Sequence, residues 1–369
     1  MSNTVITITT INVPKFIEGI CENLNKYGHL SDTSILVIGD VKTPTETKEY
    51  CEKKGHEFRV EIEYLGIEDQ KNALSDHKKL LDLFPYNTPD RVILGGILSY
   101  IRGCDRTIAV DDDNYMTEHD FVGFHSITGT ESELNLIKNE SGWFNVHNAL
   151  IEERNIPFYP RGYPWDQRNP ESNKKTYQRQ KARVVVNQGL VLEDPDIDAI
   201  SRLFWPIRAT GMSSEFDSQF GLYPGIWSPF NYQNTSLCRE LIPLYYRPLS
   251  TKRNADIWTA YLFNKLAQHF GDVITFGQPL VKQLRNLHNL WEDLDVELIN
   301  NRATDYLITI LRSVILTGKT YFDALIELLN KSQEEMEKMD GLPPSELEMI
   351  RGFFDEYQIW CNIISEIIR

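Results

Sequence analysis

The chain has 369 residues, of which 38 are basic and 53 acidic, so its formal net charge is −15 at pH 7. A surface this negative repels phosphate backbones, which excludes nucleic-acid binding through bulk charge. Hydrophobic residues make up 41% of the sequence, enough to build a core, which excludes a largely disordered chain.

The cysteines and the apolar segments indicate where the protein works. The 5 cysteines are widely spread without a CxxC pair, which is typical of a reducing compartment rather than of a disulfide framework or a structural zinc site. The first residues lack the basic and long apolar regions of a signal peptide. Arg312 interrupts the best candidate for a membrane span, at residues 306–316. These features predict a cytoplasmic protein without a membrane span.

The first third of the sequence alternates strand and helix patterns. Short β-branched or apolar runs predict strands at residues 5–11, 35–38, 61–65 and 107–110, and helical spacing predicts helices at 14–27 and 91–103. This alternation predicts an α/β fold: a Rossmann-type, mostly parallel sheet with helices on both faces. Ligands bind beyond the carboxyl ends of such strands, so the polar residues at Thr9-Thr10, Gly39-Asp40 and 111–113 are expected to share one edge.

The rest of the chain has a different character. Residues 140–255 are rich in Pro, Gly, Tyr and Trp, which predicts short strands and loops that shape a substrate site. A helix is predicted from Asp256, and helices continue from about residue 295 to the end. We therefore predict a catalytic domain at residues 1–294 and a helical extension at 295–369, with a homo-oligomer through the extension as a further expectation.

An acidic triplet, Asp111-Asp112-Asp113, follows the strand predicted at residues 107–110. Successive side chains on an extended strand alternate, so the first and third carboxylates (a DXD spacing) point to one side, as Mg²⁺ or Mn²⁺ bound to a diphosphate requires. A chain this acidic also contains about one such triplet by chance. The run alone leaves both interpretations open, and its position at a strand end favours metal binding.

Three other segments combine polar side chains with a defined local structure. Residues 158–165 hold Arg161 among prolines, a glycine and aromatic rings, which fits either a phosphate clamp or a loop packed on the core. Asp256 opens a predicted helix, where an aspartate is also a good cap. Residues 283–289 concentrate polar donors around Arg285 and His288, although a single histidine is more often structural than a ligand.

In their order along the chain, several strings resemble a known family. They are Thr9-Thr10-Ile11-Asn12, Ile38-Gly39-Asp40-Val41-Lys42-Thr43-Pro44, Pro85-Tyr86-Asn87 with Arg91, Asp111-Asp112-Asp113-Asn114, Pro160-Arg161-Gly162-Tyr163-Pro164, Asp256-Ile257-Trp258 and Arg285-Asn286-Leu287-His288. The sequence resembles GT-A glycosyltransferases. More specifically, it is similar to the reversibly glycosylated polypeptide family (plant UDP-arabinopyranose mutases and prokaryotic relatives) and to STELLO-type glycosyltransferase-like proteins. The resemblance covers roughly residues 5–290 and leaves out the helical extension.

The resemblance implies a nucleotide-sugar site. Thr9, Asp40 and Lys42 would border the nucleoside, and Arg91 would reach the diphosphate. Asp112 would face the ribose or the other side of the strand, and Arg285 would complete the contacts to the nucleotide sugar.

The resemblance also implies a metal site and catalytic residues. Asp111 and Asp113 would hold Mn²⁺ or Mg²⁺, and His288 would complete the metal's ligand shell. Asp256 would lie near the sugar as a general base or hydroxyl anchor. In the mutases the arginine that matches Arg161 becomes reversibly glycosylated.

Three functions follow from this interpretation. The first is a metal-dependent glycosyltransferase that takes a sugar from a nucleotide diphosphate, with UDP-sugar as the expected donor and the acceptor left open. The second is a UDP-sugar mutase or self-glycosylating protein acting through Arg161, which requires the leaving group to depart first because a guanidinium is a poor nucleophile. The third is a non-catalytic sugar-nucleotide-binding scaffold that recruits partners through its helical extension.

Overall fold

One twelve-stranded sheet, flanked by helices, runs through the part of the chain that the structure describes. The computed structural model describes residues 3–285 and 289–368. The strands are β1 (Thr4–Thr10), β2 (Thr33–Gly39), β3 (Glu61–Leu65), β4 (Arg106–Val110), β5 (Asn114–Met116), β6 (Glu131–Lys138), β7 (Leu150–Glu152), β8 (Thr176–Glu193), β9 (Ala209–Met212), β10 (Gln219–Leu222), β11 (Thr235–Cys238) and β12 (Val273–Gln283). The helices are α1 (Ile17–Tyr27), α2 (Glu46–Phe58), α3 (Ile67–Ala73), α4 (Lys78–Asp82), α5 (Val92–Ile101), α6 (Phe121–His125), α7 (Ala199–Phe204), α8 (Ala255–Phe270), α9 (Leu290–Ser313), α10 (Tyr321–Glu337) and α11 (Pro344–Ile368).

The amino-terminal part of the sheet is parallel. Strands β3, β2, β1 and β4 are neighbours in that order, and all three pairings between them are parallel. The register places Thr10 beside Gly39 and Ile8 beside Val110. The carboxyl ends of β1, β2 and β4 therefore share one edge of the sheet, as the strand pattern predicts.

Beyond β4 the sheet is mixed. Strand β11 is antiparallel to β4 and to β8, β6 is also antiparallel to β8, and β12 is parallel to β8. The α/β class is confirmed, and the antiparallel pairs are an addition to the mostly parallel sheet that the sequence predicts. The sequence pattern does not predict strand β8. Its first residues are largely exposed and polar, whereas residues 184–191 are buried, so neither half shows an alternation of apolar and polar residues.

Successive side chains of β1 point to opposite faces of the sheet and pack against different helices. Ile6 and Ile8 are buried in one hydrophobic core together with Ile17 and Ile20 of α1. Val5, which points to the opposite face, belongs to a larger core that includes α5 and α8. Helices therefore cover both faces, as buried parallel strands require.

The carboxyl-terminal helices α9, α10 and α11 belong to that same larger core. The rings of Trp258 in α8 and Phe353 in α11 are 5.3 Å apart, edge to face, and the indole Nε1 of Trp360 donates to the carbonyl of Pro243 at 3.1 Å. The boundary predicted between residues 294 and 295 falls inside α9, because this helix is continuous and packs against the rest of the chain. Within the described ranges, no helix combines the length and hydrophobicity that a bilayer crossing requires.

His125, the last residue of α6, is fully buried. Its Nδ1 faces the amide nitrogen of Asn187 at 3.2 Å, and its Nε2 faces the amide oxygen of Asn234 at 3.1 Å. Burial lowers the pKa of His125 to about 4. A proton added at Nδ1 would point at an amide donor, so the folded protein holds the ring neutral.

This arrangement predicts a loss of stability in acid. An unfolded histidine binds a proton below a pKa of about 6.5, whereas the folded one resists it until about 4, so the free energy of unfolding falls as the pH decreases through this window. His125→Gln is expected to reduce the difference in unfolding free energy between pH 7 and pH 4 by about 3 kcal/mol in denaturant titrations. His56→Gln, at an exposed position, is the control, and equal acid sensitivity in all three proteins would contradict the prediction.

Candidate active site at the carboxyl edge of the sheet

A cleft of about 540 Å³ opens at the carboxyl edge of the parallel strands. Its walls come from Thr9 at the end of β1, from the triplet after β4, from Gln283 at the end of β12, from the segment before α8 and from Val296 of α9. Proteins typically bind small ligands in cavities of about 300–1,000 Å³. The cleft is therefore large enough for a substrate.

Charged side chains dominate the lining of this cleft. The aspartates among the described lining residues are Asp90, Asp111, Asp112, Asp113, Asp196 and Asp256. The basic residues among them are Arg161, Arg247, Lys252, Arg253 and Arg285. Carboxylates and cations thus occur in nearly equal number, and one bound divalent cation would leave the cleft positive enough to attract a phosphorylated ligand.

The three aspartates of the triplet have different partners. The carboxylate of Asp112 accepts a 2.8 Å hydrogen bond from the hydroxyl of Thr10, on the neighbouring strand end. The carboxylate of Asp113 accepts bonds of 3.1 and 3.3 Å from the amide of Gln283. Asp111 feels the charge of Asp113 more strongly than that of Asp112, but the triplet forms a turn, closed by a 3.2 Å bond from the backbone nitrogen of Asn114 to the carbonyl of Asp111, rather than the extended strand end that the sequence prediction assumes.

The pKa of Asp111 is well above the ordinary value for an aspartate. It lies in the cleft, reached by solvent but surrounded by protein, and desolvation together with the charge of Asp113 raises its pKa to about 7. The same desolvation raises the pKa of Asp113, although the hydrogen bond from Gln283 opposes this rise. Two carboxylates that repel each other in one cleft form an arrangement that a cation would stabilise.

The donor set fits a hard divalent cation. Mg²⁺ is commonly bound through one or two carboxylates with the remaining ligands supplied by water and substrate phosphates, and Mn²⁺ suits the same oxygen donors. Asp111 and Asp113 could supply those two carboxylates. Residues 3–285 and 289–368 contain no group of three or more acidic, histidine or cysteine side chains arranged around a common metal position. The predicted ligand His288 lies outside the described residues.

The guanidinium of Arg161 bridges two buried aspartates, Asp196 and Asp256, which also line the cleft. Its Nε and Nη2 donate to the carboxylate of Asp196 at 2.8–3.0 Å, and its Nη1 and Nη2 donate to Asp256 at 3.2 and 3.0 Å. Nη1 also donates to the carbonyl of Arg253. Burial disfavours the cation, but the two carboxylates outweigh burial and hold the pKa of Arg161 well above its usual value. The guanidinium therefore acts as a fixed bridge.

Comparisons with known proteins give only distant matches. No family model matches the sequence, and no curated protein does. Among solved structures, glucosyl-3-phosphoglycerate synthase from Mycobacterium tuberculosis, in complex with Mn²⁺ and UDP-glucose, is 9% identical and covers 82% of this chain and 78% of its own, with a TM-score of 0.40. TarS 1–349 of S. aureus, in complex with UDP, is 12% identical and covers 99% of this chain and 92% of its own, with a TM-score of 0.41. Because these likenesses are so distant, the function proposed below rests on the residues of the cleft.

The cleft brings together seven residues that the sequence singles out. They are Thr9, Asp111, Asp112, Asp113, Arg161, Asp256 and Arg285. Arg285 donates to Asp194 at 2.9 Å and to Gln283 at 3.0 Å, which places its charge beside Asp113. The shared strand edge explains the positions of Thr9 and the triplet, and the assigned roles of all seven stay predictions.

The other predicted nucleotide-binding residues do not line the cleft. Arg91 is buried and donates to the carbonyl of Phe84 at 3.0 Å and to the side chain of Gln70, and desolvation lowers its pKa. The guanidinium of Arg91 thus already holds α3 to the loop at Phe84, and its contact with a diphosphate stays a prediction. Asp40 is also structural in its contacts, since its carboxylate accepts bonds of 2.6 Å from the backbone of Val41 and Asn87. Lys42 is exposed on the loop after β2.

Sequence reasoning missed five charged residues that line the cleft: Asp90, Asp196, Arg247, Lys252 and Arg253. Asp196, within the acidic run at residues 193–198, is the main partner of Arg161. Arg247 lies between Tyr246 and a proline, so it shares the aromatic and proline surround that drew attention to Arg161, and it pairs with Asp90 at 3.0 Å. The aromatic and proline neighbours of Arg247 could have identified it as a candidate, whereas nothing in the sequence distinguishes Asp196 from the other aspartates.

Gly162 allows the backbone to present Arg161. Its φ is +71°, and a Cβ atom placed there would lie 2.4 Å from Cγ2 of Ile257, next to Asp256. Gly162→Ala is expected to lower the free energy of unfolding by about 1–3 kcal/mol because it adds both backbone strain and a clash. Gly28→Ala is the matched control, since its φ is +82° but no atom lies within 4 Å of the added Cβ. Equal destabilisation of the two variants in denaturant titrations would rule out the contact with Ile257.

Proposed function

We propose that this protein is a metal-dependent glycosyltransferase that uses a nucleotide-diphosphate sugar, with a UDP-sugar as the first candidate donor. The observation that carries the proposal is one cleft that contains both the paired carboxylates Asp111 and Asp113 at a strand end and the bridged pair Arg161 and Asp256. The resemblance of the sequence strings to GT-A glycosyltransferases supports the same function. A shared cleft would allow donor and acceptor to meet.

The donor's diphosphate would lie at the triplet. Asp111 and Asp113 would hold a divalent cation, which stabilises the charge that develops on a departing diphosphate. Arg247 and Arg285 are the basic residues whose charges act most strongly on Asp111 and Asp113 respectively. We assign to them the contact with the diphosphate that the resemblance implies for Arg91, because fixed cations beside the leaving group lower the barrier to its departure.

The acceptor would lie at Asp256. Its Oδ1 already accepts bonds from Ile257 N at 3.0 Å and from Arg161, whereas among the described residues its Oδ2 accepts only one, from Arg161 at 3.0 Å. The remaining lone pair of Oδ2 could accept the proton of an acceptor hydroxyl. In that step the bond between the anomeric carbon and the diphosphate oxygen breaks, a bond to the acceptor oxygen forms, and the hydroxyl proton moves to Asp256.

The mutase alternative is not favoured by the contacts of Arg161. A glycosylated arginine needs a guanidinium nitrogen that can reach the anomeric carbon, yet Nε, Nη1 and Nη2 all donate to Asp196, Asp256 or the carbonyl of Arg253. Forming an adduct would break at least one of these buried hydrogen bonds. We therefore assign Arg161 the positioning of Asp256.

A ligand screen tests the proposed function. Nucleoside diphosphates are added to the protein with and without Mn²⁺, and thermal unfolding is followed, because a ligand at 100 times its Kd stabilises the folded state by about 2.7 kcal/mol. UDP is expected to raise the midpoint only when Mn²⁺ is present, and a UDP-sugar is then expected to be turned over. The absence of any metal-dependent shift would overturn the proposal, and a shift without turnover would leave only the scaffold function.

A further inference from the structure

The segment of residues 247–254, just before α8, lines one wall of the cleft with the basic side chains of Arg247, Lys252 and Arg253. Two of these cations are matched by carboxylates of this chain. Arg247 pairs with Asp90 at 3.0 Å, and Arg253 pairs with residues of α9. Lys252 is exposed, and no carboxylate oxygen of residues 3–285 or 289–368 lies within ion-pair distance of its ammonium. It is thus an unmatched positive charge in the cleft.

The backbone holds Lys252 in a costly conformation. Its φ is +46° and its ψ is −117°, a region that side chains with a Cβ rarely adopt. Such strain costs on the order of 1–3 kcal/mol and is concentrated at functional sites, where the surroundings enforce it. A glycine would occupy this position without strain, so the presence of lysine indicates that its side chain is used.

Residues of the carboxyl-terminal helices fix this segment from behind. The carboxylate of Glu356 accepts bonds from the backbone nitrogens of Leu249 and Ser250 at 2.6 and 3.0 Å. Asn300 donates to the carbonyl of Thr251 at 2.9 Å, and the buried Glu297 accepts from Arg253 at 2.7 Å. Lys252 is therefore presented by a rigid turn.

The charge of Lys252 is not one of the main influences on two carboxylates of the triplet. The strongest basic neighbours of Asp111 and Asp113 are Arg247 and Arg285, and Lys252 is not among the main charges acting on either carboxyl. In the proposed function the donor's diphosphate occupies the triplet. Lys252 is then free to meet a different anion.

We propose that Lys252 binds a compact anionic group, a phosphate or a carboxylate, on the acceptor, so that the enzyme glycosylates acidic acceptors. The assignment of this anion to the acceptor rests on the proposed function, whereas the binding of an anion by Lys252 does not. An ammonium on a flexible stem is a point charge that suits either oxyanion. The neighbouring Arg253 is matched by carboxylates of α9, so Lys252 itself supplies the positive charge that this turn offers to a ligand.

The test measures binding of small probes to the protein saturated with UDP and Mg²⁺. Glycerol 3-phosphate and glycerate are the phosphate and carboxylate probes, and glycerol is the neutral control, each titrated by calorimetry. We expect at least one anionic probe to bind without displacing UDP, and Lys252→Ala to weaken that binding about tenfold or more. Lys252→Arg is expected to retain most of the affinity, and Lys319→Ala, at an exposed lysine outside the cleft lining, to retain all of it.

A second variant separates charge from backbone strain. Lys252→Gly is expected to lose anion binding as Lys252→Ala does, yet to raise the unfolding midpoint by about 2 °C because glycine tolerates the positive φ. Binding of both anions or of one alone supports the inference and identifies the group.

Three results would overturn the inference: no anion binds, the anion competes with UDP, or Lys252→Ala binds it as the unmodified protein does. If UDP fails to bind with Mg²⁺ or Mn²⁺ while Lys252-dependent anion binding persists, the proposed function fails and the anion site stands.

Discussion

Asp113→Asn is expected to reduce metal-dependent turnover of a UDP-sugar by a factor of about 10³ or more, and to remove the stabilisation by UDP with Mn²⁺. Asparagine has the shape of aspartate, and its single side-chain oxygen can still accept one hydrogen bond from the amide of Gln283, which now donates to both oxygens of Asp113 at 3.1 and 3.3 Å. The variant should therefore fold, while the site loses one of its two proposed anionic ligands. Coupled detection of released UDP and thermal unfolding with and without Mn²⁺ provide the two measurements.

Asp105→Asn is the matched control for this variant. Asp105 is exposed at the amino end of β4, so the same chemical change is made at the opposite end of the strand that carries the triplet. Its turnover and its response to UDP and Mn²⁺ should equal those of the unmodified protein. If Asp113→Asn also retained both, the metal assignment would be wrong.

Arg161→Lys is expected to lower the free energy of unfolding by about 3 kcal/mol and to abolish turnover. Arg161 reaches both Asp196 and Asp256 through a planar fork, whereas a lysine offers one nitrogen and cannot span the two carboxylates. At least one aspartate would then remain buried without its partner, which is the costly situation in a buried ion pair. Denaturant titration and a turnover assay measure the two effects.

Arg208→Lys provides the comparison. Arg208 also forms a two-pronged pair, with Glu193 at 2.6 and 3.2 Å, but its side chain is 53% exposed. Pairs at such exposed positions contribute about 0–1 kcal/mol, so this variant should be close to neutral. Similar losses at both positions, or an active Arg161→Lys enzyme, would contradict the bridging role of Arg161.

The sequence predicts the strand edge well because the signals there are local. A β-branched run fixes β1 and an apolar run fixes β4, and the parallel order of the strands then gathers Thr10 and Asp112 without further information. Chemistry at the edge follows from the same rule, since ligands bind beyond the carboxyl ends of parallel strands.

The choice among arginines could not be made from sequence, because it depends on contacts between distant segments. Arg91 is a single positive charge in a helical pattern, and nothing nearby shows that the side chain of Gln70 and the carbonyl of Phe84 will meet its guanidinium. Arg247 reaches the cleft only because its segment is folded back beneath the last helices. Long-range packing therefore decides which cation is available to a ligand.

The packing of the helical extension could not be predicted from the sequence for the same reason. Its amphipathic pattern predicts helices but not the surface that they cover. The same pattern is expected of helices in a separate appendage and of helices that form a wall of the site. Glu297 shows the difference, since its buried carboxylate accepts bonds from Arg253 and from the backbone of Ala199. One side chain of the extension thus joins two segments of the preceding region.

The bonds from Glu356 to Leu249 and Ser250 also bear on how the protein is made. A ribosome that has released the first 340 residues has already delivered the triplet, Arg161 and Asp256, but the helix that restrains the lysine-bearing turn has not yet emerged. The cleft is therefore completed only once α11 has been synthesised, and a polypeptide that stops between residue 285 and α11 would carry the triplet, Arg161 and Asp256 while its lysine-bearing turn lacked the bonds from Glu356.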